Sequence, residues 1–163
     1  MSAAEELLRN AERYAASFDK GDLPVRPARQ LVLLACMDSR MDLFGLFGLD
    51  VGDAHVVRNA GGVVTDDAIR SLTISQRLLG TREVLLVHHT DCGMVGFTDD
   101  GLKAEIEAET GIRPPFAFEA FRDVDADVRQ SMARIRTSPF VPYRDAVRGF
   151  VYEVEKGTLR EIV

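Results

Sequence analysis

A thiol, a carboxylate and a guanidinium occupy alternate positions of the chain, at Cys36, Asp38 and Arg40. They come directly after the apolar run 31–35, which predicts a buried strand. Because successive side chains of an extended chain point to opposite faces, we expect these three side chains to face the same way. The sequence therefore places candidate chemistry at the carboxyl end of a strand, where open α/β sheets bind ligands.

A second candidate half-site follows the apolar run 83–87, which also predicts a strand and leads into His89 and Cys92. If the two strands are neighbours in a parallel sheet, their carboxyl ends adjoin, and Cys36, His89 and Cys92 can converge on one centre. Two thiolates and one imidazole suit zinc, and three protein ligands leave the fourth tetrahedral position for water or for Asp38. The sequence therefore predicts one Zn²⁺ per chain.

The two cysteines have other interpretations. They could pair as a disulfide, or they could be buried structural residues, because free cysteine is among the most buried residue types. In a reducing compartment, however, a cysteine beside Asp38 and Arg40, and another three residues after His89, favour metal binding. A purely structural zinc would be expected to have four protein ligands, and here the fourth candidate is Asp38. We therefore favour a zinc site that keeps an open position.

The order of the motifs resembles the β-class carbonic anhydrases, and the likeness runs from about Leu31 to Thr98. Either half of the pattern is weak alone, but both halves on their own strands, joined by a glycine-rich loop, are specific. The motifs that carry the resemblance are Cys36-x-Asp38-x-Arg40, Arg58-Asn59-Ala60-Gly61-Gly62 and His89-x-x-Cys92.

The resemblance implies that Cys36, His89 and Cys92 hold the zinc ion. It also implies that Arg40 keeps Asp38 ionised and off the metal, so that Asp38 accepts a hydrogen bond from a zinc-bound hydroxide. In a closed state of the site, Asp38 would instead be the fourth ligand. The activity implied is zinc-dependent, reversible hydration of carbon dioxide to bicarbonate and a proton.

Two alternatives to this activity stay open at the level of sequence. A zinc hydroxide beside a narrow pocket also suits the hydrolysis of carbonyl sulfide or carbon disulfide, and the motifs do not separate these substrates. The other alternative is a non-catalytic, zinc-stabilised module that binds bicarbonate or a partner protein. Asp38 and Arg40 argue against such a module, since a structural site needs no positioned acceptor pair.

Four further residues are predicted to line the substrate pocket: His55, Gly61, Gly62 and Gly93. Glycine lets the backbone approach a neighbour closely, although a tight turn without function would also use it. For His55, the resemblance indicates a place near the mouth of the site. Packing is the favoured interpretation of His55, because relatives carry a non-titrating aromatic side chain there, whereas imidazole titrates near pH ~6.5.

Composition narrows the choice of partners and compartment. The formal net charge of −6 and the sequence pI of about 5.1 argue against a nucleic-acid partner. No apolar run approaches the ~20 residues of a membrane span, and a charged N-terminal segment argues against a signal peptide, so we expect a cytoplasmic protein. The sequence contains no tryptophan, so the tryptophan-containing bicarbonate regulatory site of the closed subtype of β-carbonic anhydrases cannot be built here in its usual form. The resemblance therefore favours the open subtype.

The expected fold is α/β, with a mostly parallel central sheet flanked by helices in a single β-carbonic anhydrase-like domain over residues 1–163. About four parallel strands and an antiparallel C-terminal addition are expected. Segment 43–49 is expected to be a short apolar helix or turn, mostly in the core. The predicted strands are 31–35, 54–58, 83–87, 147–155 and 159–163, and the predicted helices are 65–80, 102–110 and 124–135.

Residues 1–21 are predicted to form an N-terminal helical arm. Ser2 and Glu5 have the capping-box pattern, apolar residues follow at helical spacing, and Gly21 is placed to end a helix of about five turns. This helix could pack on its own sheet. The resemblance implies instead that it reaches a second subunit, giving a homodimer or a tetramer.

Overall fold

The computed structural model describes residues 2–163; Met1, the first residue of the predicted arm, lies outside them. Its strands are β1 (Leu31–Cys36), β2 (Ala54–Asn59), β3 (Glu83–His89), β4 (Val147–Glu153) and β5 (Thr158–Ile162). Its helices are α1 (Ala3–Ala16), α2 (Leu43–Phe47), α3 (Asp66–Arg77), α4 (Asp99–Thr110) and α5 (Val124–Thr137).

All five strands belong to one sheet with the order β2-β1-β3-β4-β5. The strands β2, β1, β3 and β4 are parallel, and β5 runs antiparallel to β4. The predicted fold class is therefore confirmed, including the antiparallel C-terminal strand. The central strands β1 and β3 are direct neighbours, with Ala35 opposite Val87, so their carboxyl ends lie at the same edge of the sheet.

The sheet is covered on both faces, as expected for parallel strands whose sequences are continuously apolar. Leu34 of β1 packs in a core with Leu72 of α3 and Ile135 of α5. Leu33 and Ala35 pack in a second core on the other face. The alternation follows from the two-residue period of a strand.

The second core also contains both cysteines, together with Met94 and Phe121. The candidate thiols therefore lie against apolar side chains at the carboxyl edge of the sheet, where water has limited access. This position is set by where the two apolar runs end.

Several boundaries differ from those predicted. Helix α1 ends at Ala16, with Ser17 as its C-cap, and therefore stops before Gly21. Helix α4 starts earlier than predicted because Thr98 caps it by accepting a hydrogen bond from the Gly101 amide. The expected short apolar helix is α2. Leu43 is buried, Phe47 and Leu49 are partly buried against the second core, and Phe44 is exposed.

Helix α1 does not pack on its own sheet. It has a complete capping box at Ser2 and Glu5, yet none of its residues is buried. Leu7 and Leu8 are 65% and 66% exposed, and Tyr14 is also exposed. An apolar face of this helix is therefore left without cover in the single chain. No helix within residues 2–163 combines the length and the apolar character needed to span a membrane.

Candidate metal centre

Three buried side chains converge at the shared edge of β1 and β3. Cys36 is the last residue of β1, His89 is the last residue of β3, and Cys92 follows three positions later. Their ligand atoms all lie within 4.8 Å of one another. Both cysteines are free thiols in the structure, so the disulfide interpretation does not describe it.

The imidazole of His89 is oriented for coordination through one nitrogen. Its Nδ1 lies 2.8 Å from the carbonyl oxygen of Thr90. Because a carbonyl can only accept, Nδ1 carries the proton and Nε2 keeps a free lone pair. Nε2 is buried and makes no hydrogen bond. A buried imidazole nitrogen without a partner, facing two thiols, fits a metal ligand whose other nitrogen is fixed by the backbone.

The two thiols influence each other strongly. The Cys92 thiol lowers the pKa of Cys36 to about 4, although burial acts in the opposite direction. The hydrogen bond to Cys36, and then burial, in turn raise the pKa of Cys92 above its usual range. One thiolate beside one thiol is the result expected when like charges share a buried site. A dication between them would stabilise both thiolates, and two sulfurs with one nitrogen are a donor set that fits Zn²⁺.

Asp38 and Arg40 form a close pair beside this centre. Arg40 donates to Asp38 from Nε (3.0 Å to Oδ1) and from Nη2 (2.8 Å to Oδ2), and its backbone amide donates to Oδ1 at 2.9 Å. These bonds hold the pKa of Asp38 well below its usual range. Asp38 Oδ2 lies 3.7 Å from Nε2 of His89, so an ionised carboxylate lies beside the imidazole nitrogen that is free to bind a metal.

The side chains of Asp38 and Arg40 do meet, but the predicted cause, the alternation of side chains along an extended strand, is wrong. Strand β1 ends at Cys36, so the alternation of an extended chain does not continue to Arg40. Residues 38–41 form a turn in which the Met41 amide donates to the Asp38 carbonyl, 3.2 Å away. Arg40 therefore folds back over Asp38.

Arg58 has a structural role that the sequence motif alone did not reveal. Its guanidinium donates to the carbonyl oxygens of Cys36 (2.9 Å), Asp38 (2.6 Å) and Met41 (3.3 Å). One side chain of β2 thus satisfies three backbone acceptors of the loop after β1. The loop that carries Asp38 is therefore fixed to the neighbouring strand.

Asp91 is a second residue that the sequence analysis missed. Its carboxylate accepts from Nη1 of Arg40 at 2.8 Å, and its carbonyl oxygen accepts from Nη2 at 3.0 Å. Asp91 has a φ of +55°, a conformation that aspartate tolerates better than most residues. The sequence offered one indication of this role, which is the position of Asp91 between His89 and Cys92. An acidic side chain there can pair with the arginine of the other half-site.

A cavity of about 260 Å³ opens beside the three ligand residues. Its lining residues are Cys36, Met37, Asp38, Ala60, Gly61, His89, Cys92, Gly93 and Met94. Two of the four predicted pocket residues, Gly61 and Gly93, are therefore at this cavity.

The other two predicted pocket residues are not part of that lining. Gly62 lies behind it: a Cβ on this residue would come within 2.8 Å of the Cys36 backbone nitrogen, and its φ is +73°. Glycine at this position allows two backbone segments to approach each other closely. His55 lines a separate cavity between β2 and α3, with Nδ1 2.8 Å from Oγ of Ser75. Burial lowers the pKa of His55, which agrees with the packing interpretation.

Comparison with known proteins places this geometry in a family. The sequence profile described as carbonic anhydrase matches residues 31–114. Beta-carbonic anhydrase 1 of Mycobacterium tuberculosis is 52% identical over 162 residues, which cover 99% of each chain. The chain belongs to the β-carbonic anhydrase family. This confirms the resemblance drawn from the motifs, and the similarity extends well beyond the region 31–98 that carried it.

Two other relatives show how widely the fold is shared and how the named activities differ between them. The crystal structure of carbonic anhydrase from Streptococcus mutans superposes with a TM-score of 0.92 at 36% identity, covering 100% of this chain and 99% of that one. A protein named carbon disulfide hydrolase, from Acidianus, is 34% identical and covers 94% of this chain and 86% of its own. The chain is an enzyme of this family, and the family includes more than one named activity.

Proposed function

We propose that this chain catalyses the reversible hydration of carbon dioxide to bicarbonate and a proton, with one Zn²⁺ bound by Cys36, His89 and Cys92. The observation that carries the proposal is the buried group of these three side chains beside a small cavity. Asp38 Oδ2 lies 3.7 Å from Nε2 of His89, and the relatives of this chain include Beta-carbonic anhydrase 1 of Mycobacterium tuberculosis, which is 52% identical. These findings together favour hydration over other zinc chemistry.

Each residue has a distinct part in the proposed reaction. Zinc, when bound, supplies a Lewis acid that makes water nucleophilic near neutral pH. Ionised Asp38 would accept a hydrogen bond from that water and so would direct its remaining lone pairs toward the substrate. Arg40 holds Asp38 in this orientation. Ala60 and Met94 give the cavity apolar walls against which a small linear molecule can lie.

The open state of the site is the active one in this proposal. Arg40 keeps both Asp38 oxygens hydrogen-bonded, and in this arrangement the fourth position on a bound metal would be left to water. If Asp38 left Arg40 and became the fourth ligand, the site would be closed and inactive. The Asp38–Arg40 pair also argues against a purely structural zinc module, which would use four protein side chains and no oriented acceptor.

A direct test measures carbon dioxide hydration by stopped flow on purified protein, with zinc content determined on the same sample. We expect zinc-dependent turnover that is lost on chelation and restored by adding zinc back. Protein that holds one zinc ion per chain and gives no turnover with carbon dioxide would contradict the proposed activity.

Carbon disulfide or carbonyl sulfide hydrolysis is the second candidate, favoured by the 34% identity to a carbon disulfide hydrolase. Both substrates are linear molecules that the same nucleophile could attack. The same zinc-loaded sample, given each substrate in turn with hydrogen sulfide release as the readout, separates the activities. A kcat/KM for carbon disulfide above that for carbon dioxide would favour this candidate.

We further propose a cytoplasmic, single-domain protein that works as a homodimer, or as a tetramer built from such dimers. Two buried free thiols suit a reducing compartment. The exposed apolar side chains of α1, among them Leu7, Leu8 and Tyr14, suit burial against a second copy of the chain.

Removal of residues 2–20 is expected to weaken the homodimer and to lower the melting temperature by several degrees. The reason is that apolar surface normally covered by the arm would become exposed to water. Light scattering and thermal unfolding measure the two effects. Two single substitutions at exposed positions refine the test: Leu8→Ser changes the apolar face of the arm, and Glu12→Ser is its matched control. Leu8→Ser should weaken the dimer and lower the melting temperature more than Glu12→Ser does. An equally stable, equally active monomer after truncation would exclude the arm as a dimer contact.

A further inference from the structure

Arg40 is held at both ends of its guanidinium. Nε and one hydrogen of Nη2 are used by Asp38, whereas Nη1 and Nη2 also donate to the side chain and the backbone of Asp91. The two carboxylates therefore bind different N–H groups of the fork and do not compete for one hydrogen. Arg40 thereby bridges the loop after β1 and the loop after β3.

The position of Asp91 is itself constrained. It lies between His89 and Cys92, and its φ of +55° turns the chain so that these two side chains face the same centre. Because the Asp91 carbonyl also accepts from Arg40, the guanidinium is fixed to the backbone of the ligand loop as well as to a side chain. The arginine orientation and the ligand-loop conformation are therefore coupled.

We propose that Asp91 is a positioning residue: it holds Arg40 so that Asp38 remains the hydrogen-bond acceptor and does not take the fourth metal position. This inference rests on the proposed function, because it concerns the same zinc site. Without the Asp91 side chain, the long side chain of Arg40, which is 47% exposed, keeps only its contacts to Asp38 and the bond from Nη2 to the backbone carbonyl at position 91. The pair can then move as a unit or separate, and Asp38 gains access to the metal.

The expected effect is moderate. The Asp91 side chain is 78% exposed, so solvent screens its charge, and isolated exposed ion pairs contribute little. Two contacts to one guanidinium restrict its orientation more than a single contact does. We therefore expect several-fold changes in the site and no loss of the fold.

Two substitutions separate the contribution of the Asp91 side chain from that of its backbone. Asp91→Asn removes the charge, keeps an acceptor oxygen and keeps a residue that tolerates positive φ. Asp91→Gly removes the side chain altogether while still allowing that φ. Asp100→Asn is the matched control, since Asp100 pairs with Arg113 at 2.9 Å on the surface of α4, away from the cavity.

The decisive measurement uses protein with Co²⁺ in place of zinc and titrates it with azide, followed by visible absorption. Azide reports whether the fourth position is open, because it binds there in place of water and competes with Asp38. We expect the azide Kd to rise about three- to tenfold in Asp91→Asn and further in Asp91→Gly. With zinc and carbon dioxide, kcat should fall while KM changes little, and Asp100→Asn should match wild type in both readouts.

Combination with Arg40→Ala tests the route of the effect. If Asp91 acts through Arg40, adding Asp91→Asn to Arg40→Ala should change neither the azide Kd nor kcat further. Unchanged azide binding in both single Asp91 variants, or an undiminished Asp91→Asn effect in the Arg40→Ala background, would overturn the inference. Either result leaves the proposed function intact as long as wild type hydrates carbon dioxide, and an inactive wild type counts against the proposed function alone.

Discussion

Cys36→Ser, His89→Ala and Cys92→Ser are each expected to reduce bound zinc to less than about a tenth of an ion per chain and to abolish turnover. In the proposed zinc site, each change removes one of three ligands, and no fourth protein ligand is available in the open state. The remaining two donors cannot hold the ion against dilution or a mild chelator. Elemental analysis after gel filtration, with the hydration rate on the same sample, measures both effects.

Two comparisons make this result specific. His55→Ala should keep its full zinc content, because His55 hydrogen-bonds to Ser75 in a separate cavity. Thermal unfolding of each ligand variant, with and without added zinc, shows whether the apo fold persists; zinc should raise the melting temperature of wild type and leave the variants unchanged. A wild-type preparation that turns over fully without zinc or a replacement metal would refute the metal mechanism.

Much of the site follows from short-range sequence features. The apolar runs 31–35 and 83–87 are long enough for strands and end directly at polar motifs. Because parallel neighbours bring their carboxyl ends to one edge, the meeting of Cys36, His89 and Cys92 could be predicted before the fold was known. The family resemblance then supplied the roles of the motif residues.

The features that were missed depend on contacts between distant segments. The bond from Arg40 to Asp91 joins residues 51 positions apart, and its geometry depends on the positive φ of Asp91. His55 lies at the start of β2, opposite Val32, whereas Cys36 is opposite Asn59 at the other end of that strand. The pairing register of β2 against β1 therefore places His55 far along the strand from the cavity. The periodicity of the sequence does not determine this register.

Asp38→Asn is expected to lower the hydration rate by up to about 100-fold at every pH, because it removes the acceptor that orients the nucleophilic water. The amide keeps the shape of the carboxylate and loses its charge. It therefore also removes the residue that competes with water for the fourth metal position. Any loss of activity that comes from closure of the site should be absent in this variant.

Asp125→Asn is the matched control for that substitution. Asp125 of α5 accepts two 2.8 Å bonds from Arg160 of β5, so it has a bidentate pairing with an arginine as Asp38 does, but this pair joins α5 to β5. Its loss should cost about 1 kcal/mol of stability or less and should leave the hydration rate unchanged.

The pH dependence of wild type should come from the water that the metal activates. In the proposed site, two thiolates and a neutral imidazole would cancel the charge of Zn²⁺, so the ion would withdraw less electron density than one held by three imidazoles, and a water pKa at or above ~7 is expected. The hydration rate should therefore rise from about pH 6.5 to about pH 9.

Asp38 itself should not titrate in that window. Arg40 holds the pKa of Asp38 well below its usual range, so the carboxylate is ionised throughout. The stability that this pair contributes is complete above the unfolded-state pKa and is lost only as pH falls through the lower folded-state pKa. A melting temperature that stays constant while the rate rises would separate activation of the water from changes in the fold. A flat rate profile for wild type, or an Asp38→Asn enzyme with undiminished alkaline activity, would contradict Asp38 as the orienting acceptor, because the proposed mechanism requires both the ionised water and its partner.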